Sequence, residues 1–342
     1  MDDPKTYGVK YIGSKLKLLP YIRKSIEGLE IESSLDLFTG TTRVAQLLRS
    51  MGIKTDTVDM SWASEGYANT FVHGVNHSRI GELIEEANTI KPVDGWLTEN
   101  YSGINYERVC VWQPQNTRKA DGIRDWIVGL DESKRVKDYL VTSLIFGLDA
   151  VDNTVGVQQA YLKTWCSRSY NDLSMRVFDL DYTKPRGKHT VGDALKVKLP
   201  SVDLVYIDPP YSSHNYLTYY HIWDSIYRWD KPEVGLTTNR RADRINKAPG
   251  SEAIASLWNR KKEALGATEE VLGRLDTKYA LVSYSSDGLM DFDSLVDLCF
   301  TFGSVSIEAI DYKRHVMSKI GNAETKLLKN LHNTEFLILI SM

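Results

Sequence analysis

The sequence predicts an α/β protein built on a mainly parallel sheet with helices on both faces. Three observations carry that expectation. Short apolar runs recur along the chain: SLDLF (34 to 38), TDTVDM (55 to 60), HTVGDA (189 to 194), DLVYID (203 to 208) and YALVSYS (279 to 285). Each is short enough for a strand and apolar enough to be buried on two faces. Between many of them lie polar stretches with helical spacing, the alternation that builds parallel β-α-β units. The chain closes on two further runs, VSIEAIDY (305 to 312) and EFLILIS (335 to 341), with no clear helix between them. The last strand is therefore expected to be antiparallel.

A chain of 342 residues, 42% hydrophobic and 25% charged, can bury a large core and has the make-up of an ordinary globular protein. No apolar run approaches the roughly 20 residues that cross a bilayer, and the opening MDDPKTYGVKYIGSK has no apolar signal region. Export and membrane insertion are not expected. Cys110, Cys166 and Cys299 lie far apart, which fits free thiols in a reducing cytoplasm and no zinc site. The net charge of −3 leaves nucleic acid open as a partner, because a basic face can coexist with an acidic remainder.

The first unit, SLDLFTGTTRVAQLL, reads as a strand, a tight turn and a helix beginning near Thr42. A strand passing through Gly into a helix is the arrangement that holds a nucleotide-like ligand at the carboxyl edge of a parallel sheet. Gly40 allows the close approach of backbone, and Asp36 would accept hydrogen bonds from the ligand. Asp59 ends the next strand, some twenty residues on, where an acid can hold both hydroxyls of a ribose. From 66 to 188 the strand rhythm breaks. Aromatics and helical patterns such as RVKDYLVTSLIFGLDAV fill this stretch, with few candidate core strands. It reads as an inserted, mainly helical domain between 1–65 and 189–342.

The strand DLVYID runs straight into two prolines and a tyrosine. Pro209 and Pro210 have no N–H to donate, so the ladder stops there, and Asp208 before a proline is pushed to an extended conformation. The stiffened loop projects the Asp208 carboxylate, the Pro209 carbonyl and the Tyr211 ring in fixed directions. A rigid pair of acceptors beside an aromatic face suits a flat ring bearing an exocyclic amino group. Downstream, TNRRADRINKAPGSEAIASLWNRKK (238 to 262) gathers positive charge, and Arg240, Arg241, Arg244 and Lys247 are either a solvated basic face or candidates for nucleic-acid phosphates.

Taken in order, KYIGSKLKLLPYI (10 to 22), DLFTGTTRVA (36 to 45), VDMSWAS (58 to 64) and DPPY (208 to 211) resemble the Dam-type, alpha-group adenine-specific DNA methyltransferases. The resemblance continues through SSHNYLTYYHIWDSI, YALVSYSSDGLM and the ending TEFLILI, leaving only 66 to 188 unmatched. It implies a Rossmann-like class I methyltransferase sheet with an inserted target-recognition domain, S-adenosylmethionine as cofactor, double-stranded DNA as substrate and a cognate restriction endonuclease as a possible genetic partner. It places Tyr11, Lys15, Asp36, Phe38, Gly40, Asp59, Asp193 and Asp208 around the cofactor. Asp208 and the Pro209 carbonyl would grip the target amino group while Tyr211 stacks on the extruded base. One position departs from the family pattern: the second glycine of the loop is Thr42, a residue that tolerates positive φ poorly.

The chemistry implied is amino methylation without a metal. Two acceptors holding the amino hydrogens restore the nitrogen lone pair, and Asp208 stabilises the charge that develops there. Asp208→Ala is expected to abolish transfer and leave the fold intact, as the loss of a surface-loop carboxylate. Tyr216, Tyr219, Tyr220, His221 and Trp223 would extend the pocket wall or pack as helix core. Methylation of adenine in RNA, and a non-catalytic nucleic-acid-binding module with an altered cofactor loop, are the alternatives. Transfer to single-stranded RNA tests the first and calorimetry with S-adenosylmethionine the second.

Overall fold

The structure, a computed structural model, describes residues 5–74, 78–104, 109–158, 160–235, 240–244, 256–313 and 332–342. All seven expected strands form: β1 (Ser33–Leu37), β2 (Lys54–Asp59), β3 (His189–Val191), β4 (Val202–Ile207), β5 (Thr277–Ser285), β6 (Ser304–Lys313) and β7 (His332–Ser341). They make one sheet in the order β3-β2-β1-β4-β5-β7-β6. The pairs among β1 to β5 are parallel, and β7 runs antiparallel to both β5 and β6. This is the Rossmann-like sheet expected, with its last strand reversed and slotted inside β6.

Burial on two faces explains why these runs became strands. Leu204 and Tyr206 of β4 join one apolar layer with α1 (Leu19–Ile26) and α2 (Arg43–Ser50), through Ile22, Leu47 and Leu48. Their neighbours Val205 and Ile207 join the other layer, with Leu35, Val282 and Ile338. The helices of that second layer are given below as the chain reaches them. Strands that alternate between two buried faces read as continuous apolar runs.

Between β2 and β3 the chain is helical: α3 (Trp62–Tyr67), a π-helical turn (Ala68–Val72), α4 (Ile80–Thr89), α5 (Trp96–Tyr101), α6 (Pro114–Gly129) and α7 (Lys134–Ala150). The pattern RVKDYLVTSLIFGLDAV falls in α7, which Ser133 caps by accepting from the Val136 N–H. After β4 come α8 (Tyr216–Tyr219) and α9 (His221–Arg228), and later α10 (Ala264–Gly273) and α11 (Phe292–Phe300), which supply Val271 and Leu295 to the second layer. The core of the helical stretch, centred on residues such as Ile123, Tyr139 and Leu144, also takes in Tyr7 and Val9 and, from α9, Ile222, Trp223 and Ile226.

Arg124 of α6 fastens the two parts. Its Nε donates to the Ile226 carbonyl at 2.7 Å and its Nη2 to the Tyr227 carbonyl at 2.7 Å. A guanidinium there satisfies carbonyls at the end of α9 and faces the negative pole of that helix. Among the described residues no helix is long and apolar enough to cross a membrane.

Candidate active site

The strand order reverses between β1 and β4, and the crevice beyond the carboxyl ends of strands at such a reversal is where open α/β sheets bind ligands. Leu37 of β1 is in register with Ile207 of β4. The turns leaving the two strands therefore emerge side by side, and the Asp208 N–H donates to the Leu37 carbonyl at 3.5 Å. Tyr11, Lys15, Phe38, Asp59, Asp193, Asp208, Pro209, Pro210 and Tyr211 line one cleft at that edge. Nine sequence candidates are thus brought together from five separate segments.

Asp36 and Gly40 lie beneath the cleft instead of in its wall. The Asp36 carboxylate accepts from Thr39 Oγ1 at 2.7 Å and from the Ala45 N–H at 3.0 Å, so its acceptors brace the turn and the first turn of α2. Burial pushes its carboxyl up to about 7, with the Thr39 hydroxyl pulling the other way. Gly40 has φ +51°, and a Cβ there would meet the Tyr11 ring at 3.5 Å. The turn therefore favours glycine for its backbone conformation, while the ring itself leaves room for a Cβ in ordinary contact.

Thr42 adopts the left-handed conformation that the family's glycine would, at φ 62°, and Phe38 does the same at φ 70°. Thr42 is fully buried, and its Oγ1 accepts from Gln46 Nε2 at 3.0 Å. Thr42→Gly is expected to change unfolding stability by no more than about 1 kcal/mol. Relief of ~1–2 kcal/mol of left-handed strain is offset by the lost hydrogen bond and by glycine's greater freedom in the unfolded chain. Urea unfolding measures this, and a gain well beyond that figure would show a turn held under greater strain.

Asp59 accepts the Gly40 N–H at 2.7 Å through Oδ2 and the Ser61 N–H at 2.8 Å through Oδ1. The side chain is thus oriented by backbone donors. Burial pushes its carboxyl up to about 6, against the pull of the Ser61, Gly40 and Met60 N–H groups. Asp193 follows β3, fixed by accepting the Leu195 N–H at 3.1 Å. Between the two acids the cleft wall is apolar, from Phe38, Val58, Met60 and Ala194.

Also in the cleft wall, Lys15 Nζ meets Asp208 Oδ1 at 2.9 Å. Burial opposes the Lys15 ammonium, but Asp208 holds it well above its ordinary range. Burial likewise raises Asp208, with Lys15 pulling it back down. Lys15, placed by the sequence beside a cofactor, lines the cleft and is paired there with Asp208. The pairing corrects the expectation that Asp208→Ala spares the fold, since the lysine left behind is only 5% exposed.

The aromatics divide between wall and core. Tyr11 stacks on Tyr220 at 4.3 Å and on Tyr216 at 5.5 Å between ring centroids, and the Tyr220 hydroxyl accepts the Ile12 N–H at 2.6 Å. Tyr216 lines the cleft. Tyr220, His221 and Trp223 are buried as helix core, and the Tyr219 hydroxyl sits 2.5 Å from His214 Nδ1.

Among the cleft residues missed by the sequence reading, two from one stretch stand out. Trp258, 1% exposed, meets Phe38 edge to face at 4.8 Å, and its Nε1 donates to Thr268 Oγ1 at 2.9 Å. Its neighbour Asn259 donates from Nδ2 to the Ser212 carbonyl at 2.8 Å and to the His214 carbonyl at 2.9 Å. The stretch SLWNR thereby supports both the first turn and the loop after DPPY. A tryptophan amid polar residues was the available signal.

Of the four basic candidates, Arg241 is turned inward. It is 2% exposed, paired with Asp230 at 2.8 Å and Asp243 at 2.7 Å, so its charge is spent inside the protein and not offered to a phosphate. Arg240 is half-buried. The Arg244 side chain and Lys247 lie outside the described residues.

A family model described as D12 class N6 adenine-specific DNA methyltransferase matches residues 11–286. Modification methylase StsI of Streptococcus sanguinis is 29% identical over 331 residues, covering 90% of this chain and 49% of that protein. Modification methylase LlaI of Lactococcus lactis subsp. lactis is 28% identical over 331 residues, covering 90% and 51%. Type II methyltransferase M.NlaIII of Neisseria lactamica is 25% identical over 334 residues, covering 93% and 96%. The chain spans about half the length of StsI and LlaI.

Proposed function

The chain belongs to the D12 class of N6 adenine-specific DNA methyltransferases, and from that premise we propose that it methylates the N6 amino group of an adenine flipped out of duplex DNA, with S-adenosylmethionine as donor. The observation that carries this reading is the opening of the Asp208, Pro209 and Tyr211 clamp into the same cleft as Asp59 and Asp193.

The cleft fits the donor chemically. Asp59 and Asp193 would take ribose and adenine donors, and the apolar wall between them would take the flat faces. Bound there, S-adenosylmethionine supplies an electrophilic methyl group on a positively charged sulfur. Asp208 Oδ2 and the Pro209 carbonyl accept the two amino hydrogens of the target adenine. That holds the nitrogen lone pair out of conjugation with the ring and stabilises the positive charge as the new bond forms. Lys15, on Oδ1, keeps Asp208 ionised for that task. Tyr211 stacks on the everted base and returns about 1–3 kcal/mol of the cost of unstacking.

Target reading is assigned to the helical stretch 66–188, and phosphate contacts to Arg240, Arg244 and Lys247 without Arg241. The names of the relatives support a place beside a restriction endonuclease as genetic partner. The test is methylation of duplex DNA by the purified protein with isotopically labelled donor, followed by mass analysis of the nucleosides. Labelled N6-methyladenine is expected. Its absence from duplex, or its appearance in single-stranded RNA alone, would overturn the reading.

The Asp59 carboxyl gives a pH signature. Ionised above about 6, it accepts two hydroxyls; protonated below, it loses charge and an acceptor. Donor affinity by calorimetry is expected to fall as the pH drops through about 6, and Asp59→Asn is expected to bind weakly with a flat pH response. An unchanged affinity down to about pH 5 would remove Asp59 from the donor site.

A further inference from the structure

Helix α9 carries an acid where its neighbours are core. Asp224 is 1% exposed, on a helix that also buries Ile222, Trp223 and Ile226. A carboxylate in that position is costly unless hydrogen-bond donors meet it. Its Oδ1 accepts from Ser61 Oγ at 2.7 Å and from the Ala63 N–H at 2.9 Å. Both residues stand at the start of α3, directly after β2 and Asp59. Ser61 is the N-cap of α3, yet its side chain makes no capping bond. A serine in that place ordinarily accepts a helix N–H. Here it donates its hydroxyl to Asp224, and Asp224 takes the Ala63 N–H in its stead.

The same serine holds Asp59. Its N–H donates to Asp59 Oδ1 at 2.8 Å, while the Gly40 N–H donates to Asp59 Oδ2 at 2.7 Å and Ser64 Oγ donates to the Gly40 carbonyl at 2.8 Å. Asp59 is therefore aimed by a closed set of bonds. Ser61 and Gly40 grip its two oxygens, α3 ties Ser61 to Gly40 through Ser64, and Asp224 anchors the start of α3 to α9. Asp224 is not among the residues lining the cleft. We propose that Asp224 is a positioning residue for S-adenosylmethionine binding: through Ser61 it fixes the direction in which Asp59 presents its carboxylate to the ribose hydroxyls. The proposal rests on the cofactor site proposed above and adds a residue to it. The helix that follows the clamp thereby also aims the acid at the end of β2.

Loss of Asp224 leaves the Ser61 hydroxyl and the Ala63 N–H without the oxygen they share. Asp224→Ala is expected to weaken S-adenosylmethionine binding about tenfold by calorimetry, the scale of losing hydrogen bonds to a charged acceptor. Asp224→Asn keeps an oxygen in place of Oδ1 and is expected to stay within about threefold of wild type. In single-turnover methylation of a duplex, the cofactor concentration giving half the limiting rate is expected to rise with the calorimetric loss. The limiting rate is expected to change by less than about threefold, because a bound methyl group still faces an unaltered Asp208 clamp.

A double-mutant cycle with Asp59→Ala separates positioning from a general cap. Without a carboxylate at 59 there is nothing to aim, so adding Asp224→Ala is expected to weaken binding by less than about twofold further. A purely structural role would bring the same loss in both backgrounds, or lower the limiting rate as much as the affinity, and either result overturns the proposal, as does native affinity in Asp224→Ala. Should Asp59→Ala bind too weakly to titrate, the split between half-saturation and limiting rate decides alone. Should Asp224→Ala melt too low to assay, Ser61→Ala carries the test, since it removes the hydroxyl between the two acids and leaves the Ala63 N–H on Asp224. A loss of about threefold in affinity at an unchanged limiting rate is then expected, and native affinity overturns the proposal. Wild-type protein that gives no heat with S-adenosylmethionine sinks the cofactor site proposed above, whereas wild type that binds, with an additive cycle, sinks this inference only.

Discussion

Asp208→Asn is expected to lower single-turnover methyl transfer about 10²–10³-fold, the scale for removing one preorganised electrostatic partner of a transition state. The amide keeps the shape of the side chain and can still accept on one oxygen, but it brings no charge to meet the one developing on the adenine nitrogen. Donor binding, measured by calorimetry, is expected to change by no more than about threefold, because in the proposed scheme Asp59 and Asp193, not Asp208, take the donor's polar groups. Asp208→Ala is expected to be equally inactive and also less stable. It strands the Lys15 ammonium, 5% exposed, without its ion-pair partner at 2.9 Å. Breaking such a pair costs about 3 kcal/mol when one partner retains some exposure. The double variant Lys15→Met/Asp208→Ala separates the two effects, with melting restored toward wild type and activity still absent. Substantial methylation by Asp208→Asn would remove the carboxylate from the mechanism.

Trp258→Ala is expected to produce the largest loss of stability of any single change at the cleft, about 3–5 kcal/mol by denaturant unfolding. The ring is fully buried, packs edge to face on Phe38 and donates to Thr268. Its removal leaves a cavity and takes away the donor that Thr268 Oγ1 accepts, though that hydroxyl keeps its bond to the Ala264 carbonyl at 3.0 Å. Phe38 stands at φ 70°, a conformation that persists only while its surroundings enforce it, so loss of the indole releases the turn that shapes the donor wall. Donor affinity is expected to fall at least about tenfold, or 1.4 kcal/mol. Trp258→Phe keeps most of the packing and is expected to recover most of both losses. Tyr211→Ala provides the contrast: catalysis weakens more than donor binding, because that ring faces the base. A Trp258→Ala protein with native stability and native donor affinity would show that SLWNR is no part of the site.

The seven strands were legible because each combines a short apolar run with burial on both faces, and a run such as LVYI satisfies one layer with Tyr206 and the other with Val205 and Ile207. DPPY and Asp59 were legible because backbone chemistry dictates their geometry locally: a proline pair ends a ladder, and an acid at a strand end points off the sheet. Partners were harder to read. Asp36 looked like a ligand acceptor, yet Thr39 and Ala45, close in sequence, take up its oxygens. The link from Lys15 to Asp208 closes only when the segment before α1 folds over the end of β4, and no local pattern encodes that. Arg241 counted as surface charge because a basic run does not reveal which arginine turns inward.

Among the described residues the core of the helical stretch continues through Ile222 and Trp223 into α9, and Arg124 locks onto the last carbonyls of that helix. If 66–188 reads the target as proposed, inspection and chemistry share one packed core. Discrimination between right and wrong sites must then fall on the duplex, through how cheaply a given sequence bends and surrenders its base to an unyielding mould.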